Sequence, residues 1–274
     1  MRLRVVWSRA IDVATVADWI VAHHEALAAG DARLVKRGVR SVTCHPGPEG
    51  RIAVKSYCRA HWEQRLRHWF QPGPATAVWN LARRLEALGL RIPAFLAVAE
   101  APGLLRPGYS YRVNVWVEGA YPVSQWLGFE PGAPSPATGD EAIGAWIVAY
   151  SRALALLHRH GLTMPDFRPT NLLFHAADEP PIWLDFDALR FGAGEWRDRL
   201  HSLLMLRRSL APVLTPERCA AVAESYLEAL GETDPRLREA LSRCLVPPTE
   251  RPLARWADRL YAQHLHPVVA GPPR

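Results

Sequence analysis

Apolar positions recur along this chain with two different periods, and the change from one to the other divides it. Val39 to Pro46, Ile52 to Tyr57, Phe95 to Glu100 and Tyr111 to Val117 are short, rich in β-branched or aromatic residues and bounded by Gly or Pro, which predicts four strands. Between the second and third, Val78, Leu81, Leu85 and Leu88 recur at spacings of three and four. That spacing predicts a helix over Ala75 to Leu88, stopped by Gly89. Residues 1 to 32 include an expected helix near Val13 to Ala29, an extension packed on this part. The first half therefore reads as a small, mainly β lobe with one main helix.

The Pro/Gly/Ser-rich segment Glu130 to Gly139 leads into a mostly helical second half. Thr138-Gly139-Asp140-Glu141 matches a capping box ahead of a helix from about Asp140 to Arg159. Ile143, Ile147, Leu154 and Leu157 give that helix one buried face, and Gly161 ends it. Further amphipathic stretches, Trp196 to Leu210, Pro216 to Leu230 and Pro235 to Cys244, are separated by Pro or Gly. The expected class is α+β, with domains over 1–118 and 119–274 and no internal repeat.

Composition narrows the class. At 274 residues and 49% hydrophobic content, the chain can bury a substantial core. Cys44, Cys58, Cys219 and Cys244 lie far apart without a Cys-x-x-Cys pair, so neither a zinc site nor a disulfide framework is indicated, and a reduced cytoplasmic setting is expected. Asp12 and Asp18 interrupt any signal-peptide core after the basic start, and no run approaches the roughly 18 to 20 apolar residues of a membrane span. A soluble or peripheral protein is expected.

Charge adds an asymmetry. Residues 1 to 70 hold 12 Lys and Arg against 6 Asp and Glu, and the remainder holds 21 against 21, so the formal +6 sits in the first quarter. Such a surplus suits phosphates, acidic lipids or nucleic acid, or is simply a solvated basic face. Arg83-Arg84 and Arg207-Arg208 read as solvated helix faces, and no motif supports nucleic-acid binding. His23-His24 and His158-x-His160 lack the spacing to converge on one ion.

The chemistry-bearing stretch is Asp166-Phe167-Arg168-Pro169-Thr170-Asn171, followed by Asp185-Phe186-Asp187. Leu172-Leu173-Phe174 and Ile182-Trp183-Leu184, joined by the polar turn Ala176 to Pro181, predict a hairpin that returns Asp185 to Asn171. A Mg²⁺–ATP phosphotransferase needs such a set: Asp166 to orient and deprotonate a hydroxyl, Asn171 and Asp185 to hold metal, Arg168 to neutralise the transferring group. Taken singly, Asp166 and Asn171 more often cap turns and Asp185 more often ends a strand. Lys55, closing Ile52-Ala53-Val54-Lys55, is the candidate cation for the α and β phosphates. The interval His45 to Gly50, after Lys36, Arg37, Gly38 and Arg40, is where a phosphate-covering loop is expected, although it has no Gly-x-Gly-x-x-Gly.

With Leu156-Leu157-His158-Arg159-His160-Gly161, Trp79, Leu88-Gly89-Leu90-Arg91-Ile92-Pro93 and Glu118-Gly119-Ala120, these motifs resemble the protein-kinase-like superfamily. Over roughly residues 36 to 207 they look most like the bacterial lipopolysaccharide kinase (Kdo/WaaP) family. The resemblance implies a two-lobed protein-kinase-like fold with ATP beneath the β lobe, near Lys55 and Glu118. It also implies a lipid-linked saccharide acceptor, and cytoplasmic action at the inner membrane, where a basic lobe favours anionic lipid.

The chain departs from the superfamily pattern at three places. Met164-Pro165 replaces the usual His-Arg before the catalytic aspartate, which argues against regulation through an activation loop. Val78 stands where a helix glutamate should meet the strand lysine, with Glu86 two turns on and Glu63 ahead of the helix. Asp187 replaces the glycine of Asp-Phe-Gly and serves either a second metal, the sugar or a turn. A degenerate kinase fold acting as a binding module, and a small-molecule phosphotransferase of the aminoglycoside or choline type, are the alternatives.

Overall fold

The computed structural model describes residues 3–38, 40–59, 73–101, 108–133, 136–165, 167–192, 195–246 and 253–270. The chain divides into two compact units, Met1–Glu118 and Gly119–Arg274.

Unit 1 is built on six antiparallel strands: β1 (Arg4–Ser8), β2 (Leu34–Lys36), β3 (Arg40–Gly47), β4 (Gly50–Arg59), β5 (Phe95–Ala101) and β6 (Gly108–Val115). Their order across the sheet is β1-β5-β6-β4-β3-β2. Strand alternation gives the sheet two different faces. Ile52, Val54, Ala97, Ala99, Tyr111 and Val113 form one core face, and α1 (Val13–Ala29) packs Val16 and Ile20 on it. Each fully buried aliphatic side chain there contributes about 1.5–3 kcal/mol. Asp12 caps α1 by accepting from the Thr15 amide at 2.9 Å, and Gly30, at φ 64°, ends it.

Two expectations for this unit change. The first 32 residues are no appended extension, because β1 hydrogen-bonds to β5 as an edge strand of the sheet. The loop expected over His45 to Gly50 is shorter than that: β3 and β4 stay in register to Gly47↔Gly50, which leaves Pro48 and Glu49 as the hairpin turn, and His45 is buried in the strand. The strand predicted from Val39 begins at Arg40, Val39 itself lying outside the described residues.

The second helix, α2 (Pro74–Ala87), packs against β5 and β6. Its N-cap, Gly73, offers no side chain, so the sheet supplies the first-turn partners. Ser110 Oγ accepts from the Ala75 amide at 2.8 Å, while Glu100 Oε1 accepts from Thr76 Oγ1 and Ser110 Oγ, both at 2.9 Å. A carboxylate at this end also complements the helix dipole.

Unit 2 is largely helical, with α3 (Val123–Trp126), α4 (Asp140–Arg159), α5 (Trp196–Ser209), α6 (Pro216–Leu230) and α7 (Pro235–Leu245). Then α8 (Leu253–Leu260) runs through a π turn at Tyr261–Leu265 into α9 (His266–Val269). Five short strands make two small ladders: β10 (Ile182–Trp183), β9 (Leu172–Phe174) and β7 (Tyr121–Pro122) in that order, and β11 (Arg190–Phe191) with β8 (Leu162–Thr163).

The helix α4 is the hub of this unit. Ser151 meets Ser225 of α6 at 2.6 Å, and His158 Nδ1 meets the Tyr226 hydroxyl at 2.6 Å, both buried. The expected capping box does not form: α4 starts at Gly139, φ 82°, with no side-chain cap. Asp140 and Glu141 face the positive end of the helix dipole instead. Arg207, expected on a solvated face, donates through Nε to the Leu245 carbonyl at 2.9 Å and so satisfies the end of α7.

Candidate active site

Phe167 fixes the loop that holds the candidate base. It is fully buried, stacks on Tyr150 of α4 with ring centroids 4.5 Å apart, and lies 6.3 Å from Trp183 of β10. Asp166 itself lies outside the described residues. Arg168 is exposed, with extended backbone, and opens the 3-10 turn Pro169–Asn171, in which the Asn171 amide donates to the Arg168 carbonyl at 3.0 Å.

From Asn171 the chain enters β9, and the hairpin register Leu173↔Ile182 and Leu172↔Trp183 brings it back. The Leu184 amide then donates to the Asn171 carbonyl at 3.0 Å, so Asp185 follows directly beside Asn171. Phe186 is buried, and Asp187 lies in the 3-10 turn Phe186–Ala188. Beyond it β11 pairs with β8 through Arg190↔Thr163 and Phe191↔Leu162, tying the segment after Asp187 to the one that precedes Met164. Asn171, Asp185 and Asp187 are all half-buried. The amide oxygen of Asn171 and the carboxylate of Asp185, on adjoining backbone segments, are hard donors of the kind Mg²⁺ takes, usually with several waters retained. Among the described residues no cluster of three or more His, Cys, Asp or Glu could hold a metal. Met164, at the histidine position, is buried in the core, and Pro165, at the arginine position, offers no cation.

In unit 1, Lys55 stands inside β4 rather than at its end, 7% exposed, with Nζ 5.3 Å from the Tyr57 ring centroid. Its cross-strand partner on β6 is Arg112, also 7% exposed. Arg112 was not singled out from the sequence. The alternation of Ser110, Arg112 and Asn114 with Tyr111 and Val113 is the signal that marks it as sharing the Lys55 face.

Val78 is buried on α2, so no carboxylate projects from that position. Glu86 lines a groove beside Trp7 of β1 and Phe95 of β5, while Lys55 lies on β4, beyond β5 and β6. Glu63 lies outside the described residues. The Glu118 carboxylate pairs with Arg51, Nε to Oε1 at 2.7 Å and Nη2 to Oε2 at 2.5 Å, which holds it below the usual carboxylate range. Both side chains are more than half exposed.

The paired histidines have structural partners. His23 Nδ1 meets Thr43 Oγ1 at 2.6 Å and Nε2 meets Ser56 Oγ at 2.9 Å. Burial pushes His23 down to about 3, so the ring is neutral. Burial lowers His158 to about 3 in the same way.

No family model matches the chain. Two curated relatives, each named 3-deoxy-D-manno-octulosonic acid kinase, come from Xanthomonas oryzae pv. oryzae strains PXO99A and KACC10331. Each is 32% identical over 176 residues, a match spanning 60% of this chain and 63% of the relative. A solved structure described as WaaP in complex with acyl carrier protein shares the fold, with a TM-score of 0.56 over 96% of this chain and 99% of the other at 19% identity. That likeness makes the architecture a protein-kinase-like one of mixed helix and sheet. By sequence through the matched stretch and by fold through nearly its whole length, this chain is similar to proteins of the Kdo/WaaP lipopolysaccharide kinase family, of whose curated relatives it spans less than two thirds.

Proposed function

We propose that this chain is an ATP- and Mg²⁺-dependent kinase that phosphorylates a sugar hydroxyl of a cell-envelope glycolipid such as the lipopolysaccharide inner core. The observation that carries the reading is the hairpin return, closed by Leu184 on Asn171, which sets Asp185 beside Asn171. The kinase names of the two relatives support it.

The roles follow from donor chemistry. Asp166 orients the acceptor hydroxyl and takes its proton as the oxygen attacks the γ phosphorus. Arg168, exposed beside it, offsets charge on the transferring phosphoryl group. Asn171 and Asp185 hold Mg²⁺, with Asp187 the ligand of a second ion; bound there, the metal neutralises charge on the β and γ phosphates. Lys55, with Arg112 next to it, takes the α and β phosphates. Glu118, its carboxylate engaged by Arg51, contributes to the nucleotide site through its backbone. The basic surplus of the first 70 residues suits a cytoplasmic enzyme working peripherally at an anionic membrane surface. Among the described residues no helix is long and apolar enough to cross a membrane.

Val78 favours a second reading, a nucleotide-binding module without turnover, since an active kinase normally places its lysine with a helix glutamate. The test offers labelled ATP and Mg²⁺ with lipid-linked core oligosaccharide in one arm and aminoglycosides or choline in the other. Label on the core sugar supports the proposal. Label only on a soluble alcohol contradicts the acceptor assignment, and nucleotide binding without transfer to either supports the module.

A further inference from the structure

One groove in unit 1 has no part in the chemistry above. It encloses about 550 Å³ beside α2 and the β1 edge of the sheet, and its walls include Trp7, Arg9, Trp79, Arg83 and Glu86, with the small, buried Ala82 in its lining. Its volume is in the range of small-molecule sites.

The groove is built rather than accidental. Trp7 of β1 and Trp79 of α2 stack with centroids 5.3 Å apart and planes at 29°, and the Arg83 guanidinium lies over Trp79 at 5.4 Å. Arg83 sits one helical turn after Trp79, so the stack pre-orients its planar fork and reduces the entropy lost when it takes a ligand. Neither Arg9 nor Arg83 forms an ion pair among the described residues, and both are exposed. Two guanidinium groups face one carboxylate, Glu86, so the groove carries a single positive excess.

Those facts select a ligand. A polyphosphate would meet repulsion from Glu86, and a neutral sugar would leave both arginines unused. A ring with one acidic group and several hydroxyls satisfies all the walls: its carboxylate takes the two guanidinium groups, its hydroxyls donate to Glu86, and its apolar edge lies on the tryptophans. We propose that this groove is an accessory docking site for a monoanionic sugar acid. Resting on the acceptor class proposed above, it would hold one acidic sugar of the glycolipid while another hydroxyl reacts elsewhere.

The test uses the full chain without ATP or Mg²⁺, measuring calorimetric binding of free 3-deoxy-octulosonic acid, its methyl ester and inorganic phosphate. The expected result is that the acid binds, that the ester binds at least about tenfold more weakly, and that Arg9→Gln with Arg83→Gln removes about tenfold or more of the acid's affinity. Arg83→Lys, which keeps the charge but not the planar fork, should fall between. Binding of the acid unaltered in the double variant, or no binding to the wild type, overturns the site. Phosphate binding as tightly as the acid, and lost in the same variant, overturns the sugar-acid assignment in favour of a phosphate site. Because no turnover is read, a chain inactive as a kinase yet binding the acid through these arginines would sink the kinase reading and leave the groove.

Discussion

The amide of Leu184 donates to the carbonyl of Asn171 at 3.0 Å, one rung beyond the β9–β10 hairpin. That backbone bond puts the two proposed metal ligands, Asn171 and Asp185, on adjacent chain segments without using either side chain. Asp185→Asn should lower turnover about a hundredfold or more, as loss of a preorganised charge-stabilising group does. Asn171→Ala should act in the same direction. Wild-type turnover by Asp185→Asn at saturating Mg²⁺ would remove Asp185 from the centre.

Phe167 links the loop proposed to carry the base to the core through its stack on Tyr150. Phe167→Ala should cost about 3–5 kcal/mol, the usual penalty for emptying a buried aromatic position, and should lower activity by loosening the loop that carries Asp166. Phe167→Leu should lose markedly less of both. Denaturant midpoints of the two variants check this, and equal midpoints would contradict the packing role.

Ser110 is a helix cap supplied from across the sheet. Ser110→Ala leaves the buried Ala75 amide without its partner and should cost about 1–3 kcal/mol. Thr76→Val leaves Ser110 in place and should cost less. Hydrogen exchange at the Ala75 amide reads the effect locally; unchanged protection in Ser110→Ala would show that another group caps α2.

His23 and His158 make stability depend on acid. Each is lowered by burial from the ordinary 6.5 to about 3, so between those values the unfolded chain binds protons that the folded chain does not. Stability should fall as pH drops through that window, and these two residues should add no slope above it. His23→Gln and His158→Phe should each flatten the dependence of melting temperature on pH from 6.5 downward, relative to wild type. Parallel wild-type and variant curves would contradict neutral burial.

Much of this was legible in the sequence, for identifiable reasons. The helices over Asp140–Arg159 and Pro216–Leu230 are amphipathic stretches bounded by Pro or Gly, and they form where that pattern places them, as does the helix expected near Val13 to Ala29. The hairpin that returns Asp185 to Asn171 follows from two short apolar runs around a polar turn. Strands β1 and β11 are five residues or fewer and take their identity from pairing partners distant in sequence, which no local pattern reports, while β2, three residues long, is too short to show an alternation of its own. Thr138 matched a capping box in type, but Gly139 at φ 82° sets a start in which no side chain caps α4. Arg83 looked like part of a solvated pair because its partner Trp79 shares the helix while Trp7, which completes the stack, lies 72 positions before Trp79 on β1.

The central claim is phosphoryl transfer to a core sugar with Asp166 as base. Single-turnover transfer of label from γ-labelled ATP to lipid-linked core oligosaccharide, wild type beside Asp166→Ala, measures it most directly. The account predicts Mg²⁺-dependent label on the sugar with wild type and a loss of about a hundredfold or more with Asp166→Ala, at equal nucleotide binding. Transfer undiminished in Asp166→Ala, or absent from wild type that binds both substrates, would contradict it.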